Sequence, residues 1–463
     1  MQIQSKKIDL FFLSAIFIGG YASLALELII LRNLSTFVGN TSVTASVIIS
    51  TVLLFMALGY YQGSTLSLKH KGIRQRVASD FLKTGVLSFF AATFLVNSFI
   101  FSFFYAFGIS SNILQAFLFT FLMLSCPSYL FGKITALISR YFHRTKPYYT
   151  GRILATDTLG SVLGSLLTTL VLMPLIGVNH TVTILIFILF FFALLFQKKK
   201  RILTPLIILL LSLFYNGDSF LKSMFSIVKN NAISTIVTAP GDEGKSLILQ
   251  INGSQSAKLS KDNALLFPYI QTIEENFIET MPKDTQKDVL ILGAGGFVLG
   301  KSDTYHNYTY IDIEKSLLDI AESFFKEKLS ANKKFIVQDA NLFLKQTQQK
   351  YDLVVLDIYG SKGMVLMDFV TKEFFTTLKK TLKPNAVLVI NIIQNPAKKD
   401  AFSQKIENTL SVVFQSNLTK IIPDKFNPWN NAYYNTLYTV INNPLNSDIY
   451  TDNKNDVILD TVR

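Results

Sequence analysis

The sequence has few residues that bind metals or form disulfides. Its 463 residues include four histidines and a single cysteine, Cys126. One cysteine excludes an intrachain disulfide and a cysteine-based metal site. The histidines are scattered and show no ligand spacing typical of zinc, so no metal is expected.

Acidic residues are scarce in the first part of the chain. Residues 1–201 contain 17 lysines and arginines but only four acids, a net charge of +13, whereas residues 202–463 contain 27 of each. The excess of basic over acidic residues is therefore confined to the N-terminal part. It does not indicate a nucleic-acid partner, and none is predicted.

Long apolar runs dominate this basic part. Six segments are apolar enough to cross about 30 Å of hydrocarbon, namely 9–31, 42–63, 84–108, 113–132, 153–177 and 179–197. The first has no small-residue cleavage site, so we expect a retained helix rather than a signal peptide. A seventh segment, 202–220, has a 14-residue apolar core and then an Asn-Gly-Asp sequence. It either spans the membrane or lies at its surface.

The basic residues fall at alternate ends of these segments. The N-terminus, the loops 64–83 and 133–152, and the run 198–201 are all basic. Because basic loops stay in the cytoplasm, we predict a multi-pass cell-membrane protein with a cytoplasmic N-terminus. The C-terminal domain is then extracytoplasmic if the seventh segment spans, which we favour, and cytoplasmic if it does not.

Two carboxylates fall inside the apolar segments. Glu27 and Asp157 are costly in hydrocarbon and should face a partner or a cavity. Arg32 lies five positions beyond Glu27 and is only an approximate same-face partner. A structural ion pair, a position at the membrane surface and a role in transport all remain open. Repeated small residues, such as Gly160-x-x-x-Gly164, predict close helix packing.

The periodicity changes to that of short strands from about residue 230. Strands 234–238 and 246–251 flank a Pro-Gly-Asp-Glu-Gly turn, and Asn252-Gly253 supplies a second tight turn. A helix is predicted over about 262–280. We therefore divide the chain into a transmembrane helical domain (1–220), a small β-hairpin domain with its linker helix (221–285) and a C-terminal domain (286–463).

Strands and helices alternate in the C-terminal domain. The predicted strands are 288–293, 308–313, 334–338, 352–358 and 386–393, and the predicted helices are 314–328, 340–348, 371–381 and 397–411. Alternation of this kind predicts an α/β doubly wound, Rossmann-like sheet of the methyltransferase type. Residues 437–441 add a late strand, expected to be antiparallel.

A glycine turn follows the first of these strands. Gly293, Gly295 and Gly296 allow the backbone to approach a ligand closely. No Lys-Ser/Thr pair follows the glycines, so ATP hydrolysis is not expected. The next glycine, Gly300, does not complete the G-x-G-x-x-G pattern of dinucleotide sites. A nucleoside with a sulfonium tail fits this turn better than NAD.

Three acids end successive strands of the predicted sheet. Asp312 can accept two hydrogen bonds from ribose hydroxyls, and Asp339 with Ala340 lies where an adenine edge would be. Asp357 ends the fourth strand, beside the point where a reacting group should lie. The alternative is that these acids only cap the helices that follow.

The sequence resembles a known family over about 230–445 and in parts of the membrane segments. The matching motifs are Ile251-Asn-Gly-Ser-Gln255, Tyr310-Ile-Asp-Ile-Glu314, Tyr351-Asp-Leu-Val-Val-Leu-Asp357, Thr371-x-Glu-Phe-Phe375, Leu382-Lys-Pro-Asn-Ala386, Ser23-Leu-Ala-Leu-Glu27, Pro127-Ser-Tyr-Leu-Phe-Gly132 and Thr158-Leu-Gly-Ser-Val-Leu-Gly164. The chain resembles the membrane-fused spermidine synthase-like proteins, which are related to the polyamine aminopropyltransferases.

The resemblance implies a membrane-bound transferase. Its co-substrate would be decarboxylated S-adenosylmethionine or S-adenosylmethionine, with no tightly bound cofactor, and its acceptor an amine such as putrescine. By matching positions, Asp357 would orient or deprotonate the amine, Asp312 would bind the ribose and Asp339 would lie beside the adenine. Gln255 and Tyr269 would line the substrate pocket. The lipid bilayer is the other expected partner, and the family's dimers make a homodimer a further expectation.

The sequence departs from the family at the residues that attract a diamine. The acid inside the family's glycine loop is replaced by Gly296 or Phe297, and the family's second acid after the catalytic one is replaced by Ile358-Tyr359-Gly360. Tyr359 is therefore a candidate substrate-binding residue. Fewer carboxylates weaken the attraction for a doubly charged amine. Two alternatives stay open: an S-adenosylmethionine-dependent methyltransferase, and a non-enzymatic transporter or sensor that binds a nucleoside or polyamine.

Overall fold

The computed structural model describes most of the chain. The described residues are 2–39, 42–66, 70–145, 147–196, 202–260, 264–265, 267–325, 328–361, 365–397, 400–414, 418–425 and 432–442. The basic run 198–201, and the parts of the predicted helices 262–280, 314–328 and 397–411 that fall between these ranges, lie outside them. The chain divides into two compact units. The first comprises 1–239 with the short segments 249–255 and 360–362, and the second contains the remaining residues.

The first unit is mainly helical. Its helices are α1 (Gln2–Val38), α2 (Ser42–Thr65), α3 (His70–Ala92), α4 (Phe94–Ala106), α5 (Asn112–Thr145), α6 (Thr150–Leu166), α7 (Met173–Phe196), α8 (Leu203–Tyr215) and α9 (Asp218–Phe225). A π-helical turn, Leu167–Leu172, joins α6 to α7. Four helical segments of the described chain are long and apolar enough to cross a membrane, or up to six if each of two bent pairs is one span.

Two of the predicted spans form one continuous helical segment in the structure. Residues 150–195 make a single 46-residue candidate. At a rise of 1.5 Å per residue it would be about 69 Å long, roughly twice the thickness of a hydrocarbon core. The backbone of Gly177 has φ 85° and ψ 164°, which is not helical. The segment is therefore broken at the last residue of the first predicted span, 153–177.

The predicted span over 84–108 is bent in the structure and is not one continuous helix. α3 ends at Ala92, α4 begins at Phe94, and the two helices are bent by 57°. Thr93 between them is extended, with φ −72° and ψ 127°. The seventh predicted segment is also bent, because α8 and α9 meet at 56°. No proline or glycine marks the first break, which is why the sequence pattern missed it.

Glycines bring helices of this unit together, as the small-residue spacing predicts. A Cβ on Gly160 of α6 would collide with the carbonyl oxygen of Phe17 in α1, and one on Gly59 of α2 would collide with that of Tyr129 in α5. Substitution at either position would push two helices apart.

Four short strands follow the helices: β1 (Ile227–Asn230), β2 (Thr235–Gly241), β3 (Ser246–Ile251) and β4 (Ser254–Ser260). They form a sheet in sequential order, which confirms the predicted hairpin and extends it by one strand on each side. Asn252 and Gly253 both have positive φ, 50° and 76°, as the predicted tight turn requires.

The second unit contains a seven-stranded sheet in the order β10-β11-β9-β8-β5-β6-β7. Its strands are β5 (Asp288–Leu292), β6 (Asn307–Asp312), β7 (Lys333–Val337), β8 (Tyr351–Leu356), β9 (Leu382–Gln394), β10 (Leu418–Ile421) and β11 (Tyr434–Ile441). Strands β5 to β9 are parallel, and β11 pairs antiparallel with β9, as predicted for the late strand.

The helices of this unit are α10 (Pro268–Ile273), α11 (Leu317–Phe325), α12 (Ala340–Gln346), α13 (Lys372–Lys379) and α14 (Ala401–Phe414). A π-helical turn, Glu274–Ile278, continues α10. No helix is predicted between the first two strands of the sheet, and none is found there. Residues 293–306, which connect β5 to β6 and are all described, contain turns but no helix.

Candidate active site

The predicted acids lie along one edge of the large sheet. Because β8, β5, β6 and β7 are neighbours and parallel, their carboxyl ends bring Asp357, Gly293, Asp312 and Asp339 to this edge in that order. The amide of Asp357 donates to the carbonyl oxygen of Leu292 at 2.8 Å, which fixes the end of β8 against the end of β5. This edge is where α/β sheets bind their ligands.

The glycine turn needs its glycines. Gly293 has φ 95° and Gly295 has φ 50°, both in the left-handed region. A Cβ on Gly293 would collide with the carbonyl oxygen of Asp357, whereas one on Gly295 would lie 3.3 Å from that of Ser256. Gly296 is buried. The turn therefore packs directly against the end of β8.

Phe297 occupies a strained position in this turn. Its φ is 54°, which is unusual for an aromatic residue, and its side chain is buried. The ring lies edge-on to Tyr310 and Phe335, with centroids 5.1 Å apart in both cases. An apolar side chain at one of the two positions matching the family's acid therefore packs into the core.

Asp312 holds the turn through backbone groups. Its Oδ2 accepts a hydrogen bond from the amide of Ala294 at 3.1 Å, and its Oδ1 accepts one from the amide of Glu314 at 3.0 Å. Burial raises the pKa of Asp312, and these two bonds oppose the rise. A carboxylate offers about four lone-pair sites, so Asp312 can still accept from a ribose hydroxyl.

Asp339 caps a helix. It is the N-cap residue of α12, and its Oδ1 accepts from the amide of Leu342 at 2.9 Å. The capping alternative is thus correct for this acid, although an exposed carboxylate at the edge of the sheet can also contact a ligand. Ala340, the next residue, is buried.

Asp357 is held by hydrogen bonds from two neutral side chains. Tyr269 Oη donates to its Oδ2 at 3.1 Å, and Asn391 Nδ2 donates to its Oδ1 at 2.9 Å. Burial raises the pKa of Asp357, while the two hydrogen bonds oppose the rise. The carboxylate is therefore fixed in direction by two neutral donors and still has lone pairs available.

Tyr359 joins the same network. Its Oη donates to the carbonyl oxygen of Asn391 at 2.9 Å. Burial, followed by the nearby charge of Asp357, raises the pKa of Tyr359 well above its ordinary value, so the phenol stays protonated. The structure thus brings together three sequence-predicted residues: Asp357, Tyr269 and Tyr359. Gln255 is exposed on β4 and belongs to the first unit, so its role stays a prediction.

The C-terminal part of the chain is similar to known proteins. Residues 269–429 match the family model described as the spermine/spermidine synthase domain. A probable polyamine aminopropyl transferase of Bifidobacterium longum is 26% identical over 150 residues, which are 31% of this chain and 33% of that protein. The C-terminal part of this chain is spermidine synthase-like.

Two other curated proteins, a synthase and a methyltransferase homolog, are also similar to part of this chain. Spermine synthase of Arabidopsis thaliana is 33% identical over 111 residues, covering 22% of this chain and 31% of that protein. An eEF1A lysine and N-terminal methyltransferase homolog of Drosophila pseudoobscura pseudoobscura is 23% identical over 159 residues, covering 32% and 22%. The chain spans about a third to a half of the length of the first curated relatives it matches.

Among solved structures, a probable spermidine synthase from Corynebacterium glutamicum aligns with a TM-score of 0.39 at 19% identity, covering 47% of this chain and 80% of that one. Human methyltransferase-like protein 13 in complex with SAH aligns with a TM-score of 0.33 at 14% identity, covering 42% and 89%. These TM-scores are too low to identify a shared fold.

Asn391 is a residue of the candidate site that was not predicted from the sequence. Asn391 is 4% exposed, and its Nδ2 also donates to Asn435 Oδ1 at 3.0 Å. Its own Oδ1 is buried and has no hydrogen-bond partner among the described residues. The sequence feature that could have revealed it is an asparagine inside the apolar run Val387-Leu-Val-Ile-Asn-Ile-Ile393, because a polar side chain in a buried strand is expected to have a hydrogen-bond partner.

A second missed residue lies in the linker helix. Glu274 is 7% exposed and accepts a hydrogen bond from the amide of Gly300. Burial, as the largest cause, raises the pKa of Glu274 to about 7.

Among the described residues there is no group of three or more His, Cys, Asp or Glu that could hold a metal ion.

Proposed function

We propose that the protein is a membrane-bound aminopropyltransferase that uses decarboxylated S-adenosylmethionine and an amine acceptor. The observation that carries this proposal is the carboxylate of Asp357, held by Tyr269 and Asn391 at the carboxyl end of β8. The match of residues 269–429 to the spermine/spermidine synthase domain and the aminopropyltransferase relatives support the same activity.

The donor would lie along the carboxyl edge of the sheet. Asp312 would accept from the ribose hydroxyls through its remaining lone pairs, and Asp339 and Ala340 would face the adenine. Gly293 and Gly295 would let the backbone approach the sugar and the sulfur. In this arrangement the carbon next to the sulfonium points towards Asp357, which is adjacent to Gly293.

The transfer would be a direct displacement. The nitrogen lone pair of a neutral amine attacks the carbon next to the sulfonium. The carbon–sulfur bond breaks with its electron pair going to sulfur, and neutral methylthioadenosine leaves. The nitrogen, now positive, loses a proton to Asp357 or through it to water. A carboxylate fixed by two neutral donors holds the amine in line and accepts this proton.

The test uses the purified full-length protein. Decarboxylated S-adenosylmethionine is incubated with a panel of amines that includes putrescine, and methylthioadenosine is measured by mass spectrometry. We expect its release with at least one amine and a loss of about 100-fold or more in the Asp357→Asn variant. Asp368→Asn, at an exposed aspartate, is the matched control and should keep the wild-type rate. No methylthioadenosine with any amine would refute the proposal.

A methyltransferase is the second candidate. It is favoured by Phe297, because a glycine turn without an acid offers no counter-charge for the donor's amino group and would accept the carboxylate tail of S-adenosylmethionine more readily. The eEF1A methyltransferase homolog among the relatives supports it as well. Release of S-adenosylhomocysteine from S-adenosylmethionine, with no methylthioadenosine from the decarboxylated donor, would establish this alternative.

We further infer that the first unit spans the cell membrane and that the chain leaves it on the extracytoplasmic side. α1 begins beside the basic N-terminus, and near its other end Arg32 is buried. Arg32 Nε donates to the carbonyl oxygen of Asn231 at 2.7 Å, and its Nη2 donates to Thr235 Oγ1 at 3.0 Å. Residues 227–235 are then at the end of α1 opposite to the cytoplasmic N-terminus.

The ends of α7 and α8 support the same orientation. Asn179 Nδ2 donates to the carbonyl oxygen of Asn216 at 2.7 Å, and the hydroxyls of Thr183 and Ser212 are 2.9 Å apart. α8 therefore runs antiparallel to α7 and reaches the level where the apolar part of α7 starts, as a spanning segment would. Reporter fusions test this: one after residue 225 should be active outside the cytoplasm and one after residue 66 inside it. Cytoplasmic activity of the first fusion would overturn the inference.

A further inference from the structure

We propose that a cavity at the membrane-facing edge of the first unit binds the phosphate headgroup of an anionic phospholipid. The cavity has a volume of about 200 Å³ and lies between the start of α9, strand β1 and Asn179. Since a water molecule occupies about 30 Å³, this space holds several waters or one phosphate group with part of its glycerol. The proposal rests on the inference that the first unit spans the membrane.

The cavity lies where two apolar segments end. Asn179 is two residues beyond the break at Gly177, at the start of the apolar part of α7, and Asp218 comes directly after α8 and its Asn216-Gly217 turn. Asn179 Nδ2 bonds both to the carbonyl oxygen of Asn216 and, at 2.9 Å, to Asp218 Oδ1. Both segments therefore end at one level, which in a spanning unit is the depth of lipid headgroups.

The charges that line the cavity suit a phosphate. Lys222 and Lys229 both line it, and neither forms an ion pair within the described part of the chain. The one carboxylate beside them, Asp218, is already engaged: its Oδ1 accepts from Asn179, and its Oδ2 lies 3.3 Å from His180 Nε2. The lining therefore carries two ammonium groups against one carboxylate, and this net positive charge favours an anion.

Exposed apolar side chains on the helix that precedes the cavity in sequence would favour a phospholipid over free phosphate. On the last turns of α8, next to the cavity in sequence, the side chains of Leu210, Leu213 and Phe214 are 57%, 56% and 61% exposed. A headgroup held by the lysines would leave its acyl chains against these side chains. Free phosphate would use the lysines but gain nothing from this surface.

The experiment measures thermal unfolding of the full-length protein in a neutral detergent. Phosphatidylglycerol, phosphatidylcholine and inorganic phosphate are added separately at equal concentration. We expect phosphatidylglycerol to raise the Tm, because a ligand that binds only the folded state stabilises it. Phosphatidylcholine and inorganic phosphate should give at most a small part of this shift. An equal shift with inorganic phosphate would overturn the assignment to a lipid.

Charge variants identify the cavity as the site. The double variant Lys222→Gln/Lys229→Gln should lose most of the phosphatidylglycerol shift, whereas Lys222→Arg/Lys229→Arg should keep it. The matched control Lys283→Gln/Lys380→Gln removes two exposed charges of the second unit and should keep the full shift. A full shift in the Lys222→Gln/Lys229→Gln protein would refute the proposal.

The two proposals can fail separately. Extraction of membranes with alkaline carbonate tests whether the first unit is embedded, independently of any lipid added later. Release of the chain into the soluble fraction would refute the membrane inference and the lipid site with it. Retention in the membrane, together with no phosphatidylglycerol shift, would refute the lipid site alone.

Discussion

Tyr269 donates a hydrogen bond to Asp357 although the two residues are 88 positions apart in the chain. The tyrosine lies on α10, before the large sheet begins, and the aspartate lies at the end of β8. Burial, as the largest cause, and then the charge of Asp357 raise the pKa of Tyr269 well above its ordinary value. The phenol is therefore always a donor, and the linker helix is part of the site.

Removing this donor should change the pH dependence of the reaction. In Tyr269→Phe, Asp357 loses a hydrogen bond that lowers its pKa, so the pKa of the carboxyl rises. Since the reaction needs the carboxylate, the acid limb of the kcat profile should move to higher pH, and kcat at neutral pH should fall by about tenfold. The measurement is methylthioadenosine release across pH. An unmoved acid limb would argue against the bond, and Tyr305→Phe, at an exposed tyrosine, is the control.

Asn391 and Tyr269 should act on Asp357 as a pair. Asn391→Leu removes the other donor to the carboxylate and leaves Asp357 free to turn away from the amine. We expect a loss in kcat of about tenfold or more for the single variant. In a double-mutant cycle with Tyr269→Phe the two losses should not add, because both act through one carboxylate. Strictly additive losses would mean that the residues work independently.

Gly293 should tolerate no side chain. In Gly293→Ala the new Cβ meets the carbonyl oxygen of Asp357, and φ stays near 95°. The left-handed backbone alone costs about 1–3 kcal/mol for a residue with a side chain. Both the Tm and donor binding should fall, as measured by thermal unfolding and calorimetry. Gly151→Ala is the control, since a Cβ there has nothing within 4 Å. Equal behaviour of the two variants would contradict the described turn.

Glu274 should make stability fall as pH rises. Its pKa is about 7 in the folded protein against an ordinary value of 4.5. Between these values the folded state holds a proton that the unfolded state releases, so the free energy of unfolding decreases from about pH 4.5 to pH 7. Glu274→Gln should flatten the dependence of Tm on pH in this window. Glu275→Gln, at its exposed neighbour, should leave it unchanged. The reverse trend with pH would exclude this role.

Most of the parallel strands could be predicted from the sequence because they contain short runs rich in apolar and aromatic residues. Predicted strand 288–293 is Asp288–Leu292 in the structure, and predicted strand 308–313 is Asn307–Asp312. A fully buried strand needs apolar residues on both faces, so its limits are visible in composition. The positions of Asp312 and Asp357 followed from the same pattern.

Features that depend on tertiary contacts could not be predicted in this way. Thr93 interrupts a helix with no proline or glycine, and β10 is a four-residue edge strand with little pattern of its own. In the sequence Asn391 is only one polar residue in an apolar strand, and its role depends on the hydrogen bond to Asp357 that the fold creates. For Asp339 the sequence could not distinguish two roles, because an aspartate at the end of a strand can either cap the next helix or bind a ligand.

The loop between β5 and β6 also bears on which ligands the glycine turn can accept. In many nucleotide sites a helix starts at this turn, and its free amides bring about half a positive charge to the bound group, which favours phosphate. Here residues 293–306 bring no such helix end to the turn. A dinucleotide bound here would lack that attraction, and a sulfonium ion would not meet the positive end of a helix dipole, so we expect the turn to favour the positively charged donor.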